Sequence, residues 1–166
     1  GRRTWVIWIT TGVVLMTAGI SQALCPENII AYWKLEDASY ADETGTVPDG
    51  ACGSCPTQTP DAVVGDGQSF DGATNNLTIP HDSAFDWGAG DSFSVEFWMK
   101  TSSIQADRAV AIGRIDLSNS LEWWVGIDVD GYATASLVAR DGSGTGKDVS
   151  DNTDIRDNTW HHIAFV

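Results

Sequence analysis

The chain has 166 residues, enough for one domain, and carries 23 Asp and Glu against 9 Lys and Arg, a net charge of −14. A surface this acidic repels nucleic acid and anionic lipid, which leaves divalent cations, neutral sugars and basic proteins as partner classes. Eight Trp, two Met and 17 Gly, the Gly mostly in short turn-like clusters, fit an all-β protein with tight connections.

Residues 1–23 read as a helical signal peptide. Arg2 and Arg3 form a basic start, Trp5 to Ile20 carries no charge, and Ser21-Gln22-Ala23 offers small residues for a cut after Ala23. A retained membrane anchor is the rival reading, but the apolar stretch is short of the ~20 residues a span needs. A lipidated Cys25 fits less well, because Leu24 rather than a small residue precedes it. Export places the mature domain, 24–166, in an oxidising compartment: secreted, at the cell surface or periplasmic.

Cys25, Cys52 and Cys55 are then disulfide candidates. Cys52-Gly-Ser-Cys55 has redox spacing, but no helical pattern follows it, and a zinc knuckle needs four ligands. The expected bridge runs from Cys25 to Cys52 or Cys55 and ties the first strand to the 48–60 loop. The odd thiol is expected to pair beyond Val166.

Ile29 to Leu35 is a β-rich run and the expected first strand. Residues 36–66, with Pro48, Pro56, Pro60 and many Asp, Gly and Thr, read as a long pinned connection. Gln68 to Gly72 and Asn76 to Pro80 read as two short strands around a polar turn. Ser92 to Lys100 alternates, with Phe93, Val95, Phe97 and Met99 toward the core and Glu96, Trp98 and Lys100 away from it. Ala109 to Ile115 and Leu121 to Val129 follow, the latter with Leu121, Trp123, Val125 and Ile127 on one face. Asp130-Gly131 predicts a two-residue hairpin into Tyr132 to Ala139. Asp141 to Thr159 is polar and read as a connection; Trp160 to Val166 is a last apolar strand, cut short. No 3.6-residue stripe follows the signal, so the pattern predicts a β-sandwich.

Four pieces in this order resemble laminin-G-like domains of the concanavalin A-like lectin/glucanase superfamily. They are Ala31-Tyr32-Trp33-Lys34-Leu35-Glu36-Asp37; Ser69-Phe70-Asp71-Gly72 with Leu77-Thr78-Ile79-Pro80; Asp91 to Lys100; and Asn158 to Val166 with its Trp-His-His-hydrophobic-Ala strand. The resemblance implies an all-β, two-sheet antiparallel jelly roll, incomplete at its C-terminus. It also implies carbohydrate or protein binding. The Cys-Gly-Ser-Cys loop departs from the family pattern.

Glycoside hydrolysis usually takes two carboxyls flanking the bond. The glucanases of this superfamily carry a Glu-x-Asp-x-Glu strand, which is lacking here; Glu96 and Glu122 each stand alone, and Asp128 and Asp130 sit at a turn. His81, His161 and His162 are the only imidazoles, and His161 and His162 point to opposite faces of a strand. No catalytic residue is assigned. Calcium wants six to eight oxygens, and Asp37, Asp42, Asp71, Asn75 and Asn76 are candidate ligands in polar turns. The resemblance also implies a structural calcium near such turns. Asp128-Val129-Asp130-Gly131 begins like an EF-hand loop, but its twelfth position is Ala139. Trp98, Trp124 and Trp87 are candidate sugar-stacking residues, and Asn76-Leu77-Thr78 is a glycosylation sequon.

The sequence therefore reads as an extracellular non-catalytic binding or adhesion module for glycan or protein, with calcium as a candidate cofactor and further domains expected beyond Val166. An accessory domain of a larger secreted glycoside hydrolase is the alternative, and a glucanase in its own right ranks third.

Overall fold

A computed structural model describes residues 28–87, 90–102, 107–115, 121–138 and 146–166. The signal peptide read at 1–23 and Cys25 lie outside the described residues. Among those described there is no α-helix, and no helix is long and apolar enough to cross a membrane.

Among the described residues eight strands form three antiparallel sheets. β1 (Thr57–Thr59) pairs with β2 (Gly67–Ser69). β3 (Val95–Lys100) pairs with β8 (Trp160–Phe165) as a two-stranded ribbon. β4 (Ala109–Ile115), β5 (Leu121–Ile127), β6 (Tyr132–Val138) and β7 (Gly146–Asp154) form a four-stranded meander in that order.

The core lies between the ribbon and the meander. Val125 and Ile127 of β5, Ala135 of β6, Ile155 and Ile163 are buried, and Val95, Phe97, Met99 and Phe165 pack against them. This is the alternation expected of residues 92–100: one face of β3 meets the other sheet. Burying each such side chain contributes ~1.5–3 kcal/mol. Val149 of β7 stays 64 % exposed at a cleft of about 450 Å³ lined by Ala135, Val149, Ile155 and Ile163. At the other end an aromatic stack of Trp33, Phe85, Trp87, Phe93 and Trp123 joins the N-terminal segment to β5.

Several expected elements differ. Residues 29–35 form no strand; Trp33 makes a single bridge to Asp42. Leu35 and Tyr40 have φ of 59° and 47°, so the backbone turns instead of extending. The pair expected at 68–80 does not form: β2 ends at Ser69 and pairs with β1, while Thr78 bridges Ala51. The polar stretch 146–154, read as a connection, is β7. All nine of its residues are exposed. It pairs with β6 through the backbone and through Ser136–Asp148 (2.6 Å) and Thr134–Ser150 (2.8 Å) contacts.

The β5–β6 turn is longer than a two-residue hairpin. Asp128 N donates to Tyr132 O, Gly131 N donates to Asp128 O, and only Gly131 has positive φ, at 86°. That is a three-residue loop with glycine at the left-handed position. Arg156 closes it, donating to the carbonyls of Val129 (3.1 Å) and Asp130 (2.6 Å) and pairing with Asp154.

Candidate functional site

In the ribbon, Trp98 stands opposite His162 and Lys100 opposite Trp160. Side-chain alternation puts Glu96, Trp98, Lys100, Trp160, His162 and Ala164 on the face turned away from the core. Trp98 is 49 % exposed. The His162 ring leans against it, with centroids 5.1 Å apart at 46°. His162 Nε2 lies 3.6 Å from the Glu96 carboxylate, and both side chains remain about half exposed.

One end of this face is walled. Lys100 Nζ sits 2.7 Å from the Asp61 carboxylate and 5.2 Å from the centre of the Trp160 ring. Trp160 Nε1 donates to the Asp61 carbonyl at 3.1 Å. Asp61 thus pins the β1–β2 connection onto the ribbon, and the Lys100 hydrogen bond holds its carboxyl below the usual carboxylate range. A flat exposed indole with a carboxylate and an imidazole at its edge can stack on an apolar ring face and accept hydrogen bonds from hydroxyl groups.

The other two candidate platforms are placed differently. Trp124 lies on the face of β5 opposite the core, as alternation requires, yet it is only 5 % exposed. The Arg108 guanidinium sits 5.6 Å from its ring centre and is held by Asp148 at 3.6 Å. Trp124 therefore offers no free ring face, contrary to expectation. Trp87 stacks on Phe93 with centroids 3.8 Å apart and packs against Trp123, so its ring serves the interior.

The candidate calcium ligands act as loop staples. The Asp42 carboxylate accepts hydrogen bonds from the main-chain N–H groups of Tyr32, Thr44, Thr46 and Val47 and from the Thr44 hydroxyl. Asp71 accepts from the N–H groups of Ala73, Thr74 and Asn75 and from the Thr74 hydroxyl, which holds its carboxyl well below the usual range. Asp37 caps Ser39 N, and Asn75 joins Asp71 N to the Cys55 carbonyl. Asn76 is exposed and its N–H donates to Ser54 O. Among the described residues no group of three or more His, Cys, Asp or Glu converges on a metal position. A cation would have to displace N–H donors from both carboxylate oxygens of Asp42 and from Oδ1 of Asp71. Adding Ca²⁺ or EDTA is therefore expected to leave the melting temperature unchanged, and a rise of several degrees with Ca²⁺ would show that these carboxylates exchange their donors for metal.

The expected Cys25 bridge is also corrected, because Cys52 and Cys55 bond to each other, their Cα atoms 5.0 Å apart. The tight Cys-Gly-Ser-Cys loop receives the 71–76 turn through Ser54 and Cys55. Glu122, the second isolated glutamate, pairs with Arg114 at 3.1 Å, and Arg114 also binds Asp86 and the Phe85 carbonyl. The strand positions that share a face with Glu96 hold Trp, Lys, His and Ala, so no second strand carboxylate joins it there.

Residues 71–166, which contain the ribbon and the meander, match the family model described as the concanavalin A-like lectin/glucanases superfamily. The chain belongs to that superfamily. No curated protein and no solved structure matches the chain. The concanavalin A-like assignment agrees with the antiparallel all-β layers and supports a carbohydrate- or protein-binding module. Segment 28–70, with its Asp42 staple and its disulfide, precedes the matched span. Three residues at this face were not assigned to a binding site from sequence: His162 and Trp160 of the ribbon, and Asp61 of the β1–β2 connection. The first two were legible once the last strand was registered against 95–100. Asp61 had no local signal, since its contacts to Trp160 span 99 residues.

Proposed function

We propose that this domain is an extracellular, non-catalytic carbohydrate-binding module whose ligand lies over Trp98 on the outer face of the β3–β8 ribbon. The observation that carries the reading is the half-exposed Trp98 indole, set on a regular strand and edged by Glu96 and His162. Large exposed aromatics on a rigid element are disproportionately binding anchors. Superfamily membership supports the ligand class, and the solitary Glu96 supports binding over hydrolysis.

Trp98→Ala is expected to weaken binding to soluble β-glucan, galactomannan or xylan by about 30-fold, since losing an aromatic anchor costs ~2 kcal/mol. Val129→Ala, equally exposed on the β5–β6 turn, is expected to change nothing. Affinity electrophoresis or calorimetry reads both. Equal affinity in Trp98→Ala and the parent protein would refute the placement of the ligand.

A further inference from the structure

We infer that Glu96, beside Trp98 on the same face of β3, sets the charge specificity of this face, admitting uncharged sugars and turning away those that carry carboxylate or sulfate. The inference rests on the reading of Trp98 as the stacking platform. It adds the residue that decides which sugars stack there.

Six Lys and Arg side chains fall among the described residues, and five are already paired: Lys34 with Glu43 (3.1 Å), Lys100 with Asp61 (2.7 Å), Arg108 with Asp148 (3.6 Å), Arg114 with Glu122 (3.1 Å) and Arg156 with Asp154 (2.8 Å). The sixth, Lys147, belongs to β7 in the other sheet. Lys100 is the one permanent cation on the ribbon face, and it is committed to Asp61 and to the Trp160 ring. An anionic sugar over Trp98 would find no unpaired cation on the ribbon.

What it would find is Glu96. The carboxylate stands one strand repeat from Trp98 on the same face, and its side chain is 57 % exposed. It accepts hydrogen bonds and donates none, so hydroxyl groups suit it and carboxylates or sulfates meet like charge. His162 bridges the two, touching the Trp98 ring and lying 3.6 Å from Glu96.

The test compares one polysaccharide in two forms: a soluble neutral β-glucan, and the same polymer oxidised at C6 to carry carboxylates. Binding of parent, Glu96→Gln and Trp98→Ala proteins is measured at pH 8. Each pair is run in 0.15 M and 0.5 M salt, the latter to screen the long-range repulsion from the net charge. The parent is expected to prefer the neutral form by about tenfold at pH 8 in both salts, as a like charge at short range is poorly screened. The preference is expected to fall to about twofold in Glu96→Gln. Unchanged melting temperatures show that the variants fold. If the parent binds both forms equally and Trp98→Ala binds neither, the platform stands and the charge-specificity inference falls. A preference that survives in Glu96→Gln overturns it equally. If the parent binds neither form, the carbohydrate reading fails first and this inference with it.

Discussion

Replacing Asp42 by alanine is expected to destabilise the domain by about 3–5 kcal/mol, a large share of what a domain of this size holds. Asp42 is 6 % exposed and its carboxylate takes four main-chain N–H groups and one hydroxyl, at 2.6–3.3 Å. Alanine leaves the N–H groups of Tyr32, Thr44 and Val47 without this acceptor, while Thr46 N–H and the Thr44 hydroxyl retain Thr44 Oγ1 and the Ile30 carbonyl, and a buried unsatisfied group costs ~1–3 kcal/mol. Asp42→Asn is expected to lose less, because one carbonyl oxygen remains while the amide nitrogen meets N–H groups head-on. The same site sets an acid limit. Burial pushes the Asp42 carboxyl up, but the Thr44 hydroxyl and the N–H groups of Tyr32, Val47 and Thr44 outweigh it and hold the group at about 2. A carboxyl whose folded pKa lies below its unfolded value of 3.8 stabilises the fold above about pH 4 and loses that contribution as pH falls toward 2. Urea unfolding at pH 7 and pH 2.5 reads both effects. The parent is expected to lose more stability between these pH values than Asp42→Asn does. Equal acid losses would show that Asp42 is not the staple.

Gly126→Ala is expected to be as severe. Gly126 is buried in β5, opposite Val110, where β4 carries a bulge between Val110 and Ile112. The bulge swings the β4 backbone over residue 126, so that a Cβ there would overlap the Ala109 carbonyl oxygen. A backbone atom cannot rotate away as a side chain does. The substitution must therefore part β4 from β5 locally, at a cost of about 3 kcal/mol or more and a fall in melting temperature of about 10 °C. Gly45→Ala provides the contrast: its φ is 65° but nothing lies within 4 Å, so only backbone strain of about 1 kcal/mol is expected. A Gly126→Ala protein that melts with the parent would mean that the bulge does not close on β5.

The strands that were legible in sequence are those with one buried face. Val95, Phe97 and Met99 alternate because the meander covers them, and β4 to β6 begin where expected because their apolar sets meet the ribbon. β7 was illegible for the converse reason. Its residues are polar and exposed on both faces, so no hydrophobic period marks it, and it is held by the β6 backbone and short side-chain hydrogen bonds. The run 29–35 has strand composition, but composition does not reveal that Asp42 gathers five hydrogen-bond donors around it and turns the chain at Leu35 and Tyr40. For the tryptophans, alternation gave the correct face of both Trp98 and Trp124. It could not give what lies above each ring: Arg108 over Trp124, and a tilted His162 that leaves Trp98 half open. The cysteine reading took Cys25 as the partner of Cys52 or Cys55, whereas the fold of the Cys-Gly-Ser-Cys loop brings Cys52 to Cys55.

The most direct measurement is a two-dimensional NMR titration of the ¹⁵N-labelled protein with a short neutral oligosaccharide. The Trp98 indole N–H signal and the amides of Glu96, Trp98 and His162 are expected to shift together and saturably, while the Trp124 indole and the cleft residues Val149 and Ile163 stay in place. Shifts centred on Trp124 or on that cleft, with the Trp98 signals unmoved, would contradict the assignment of the ribbon's outer face as the sugar-binding surface.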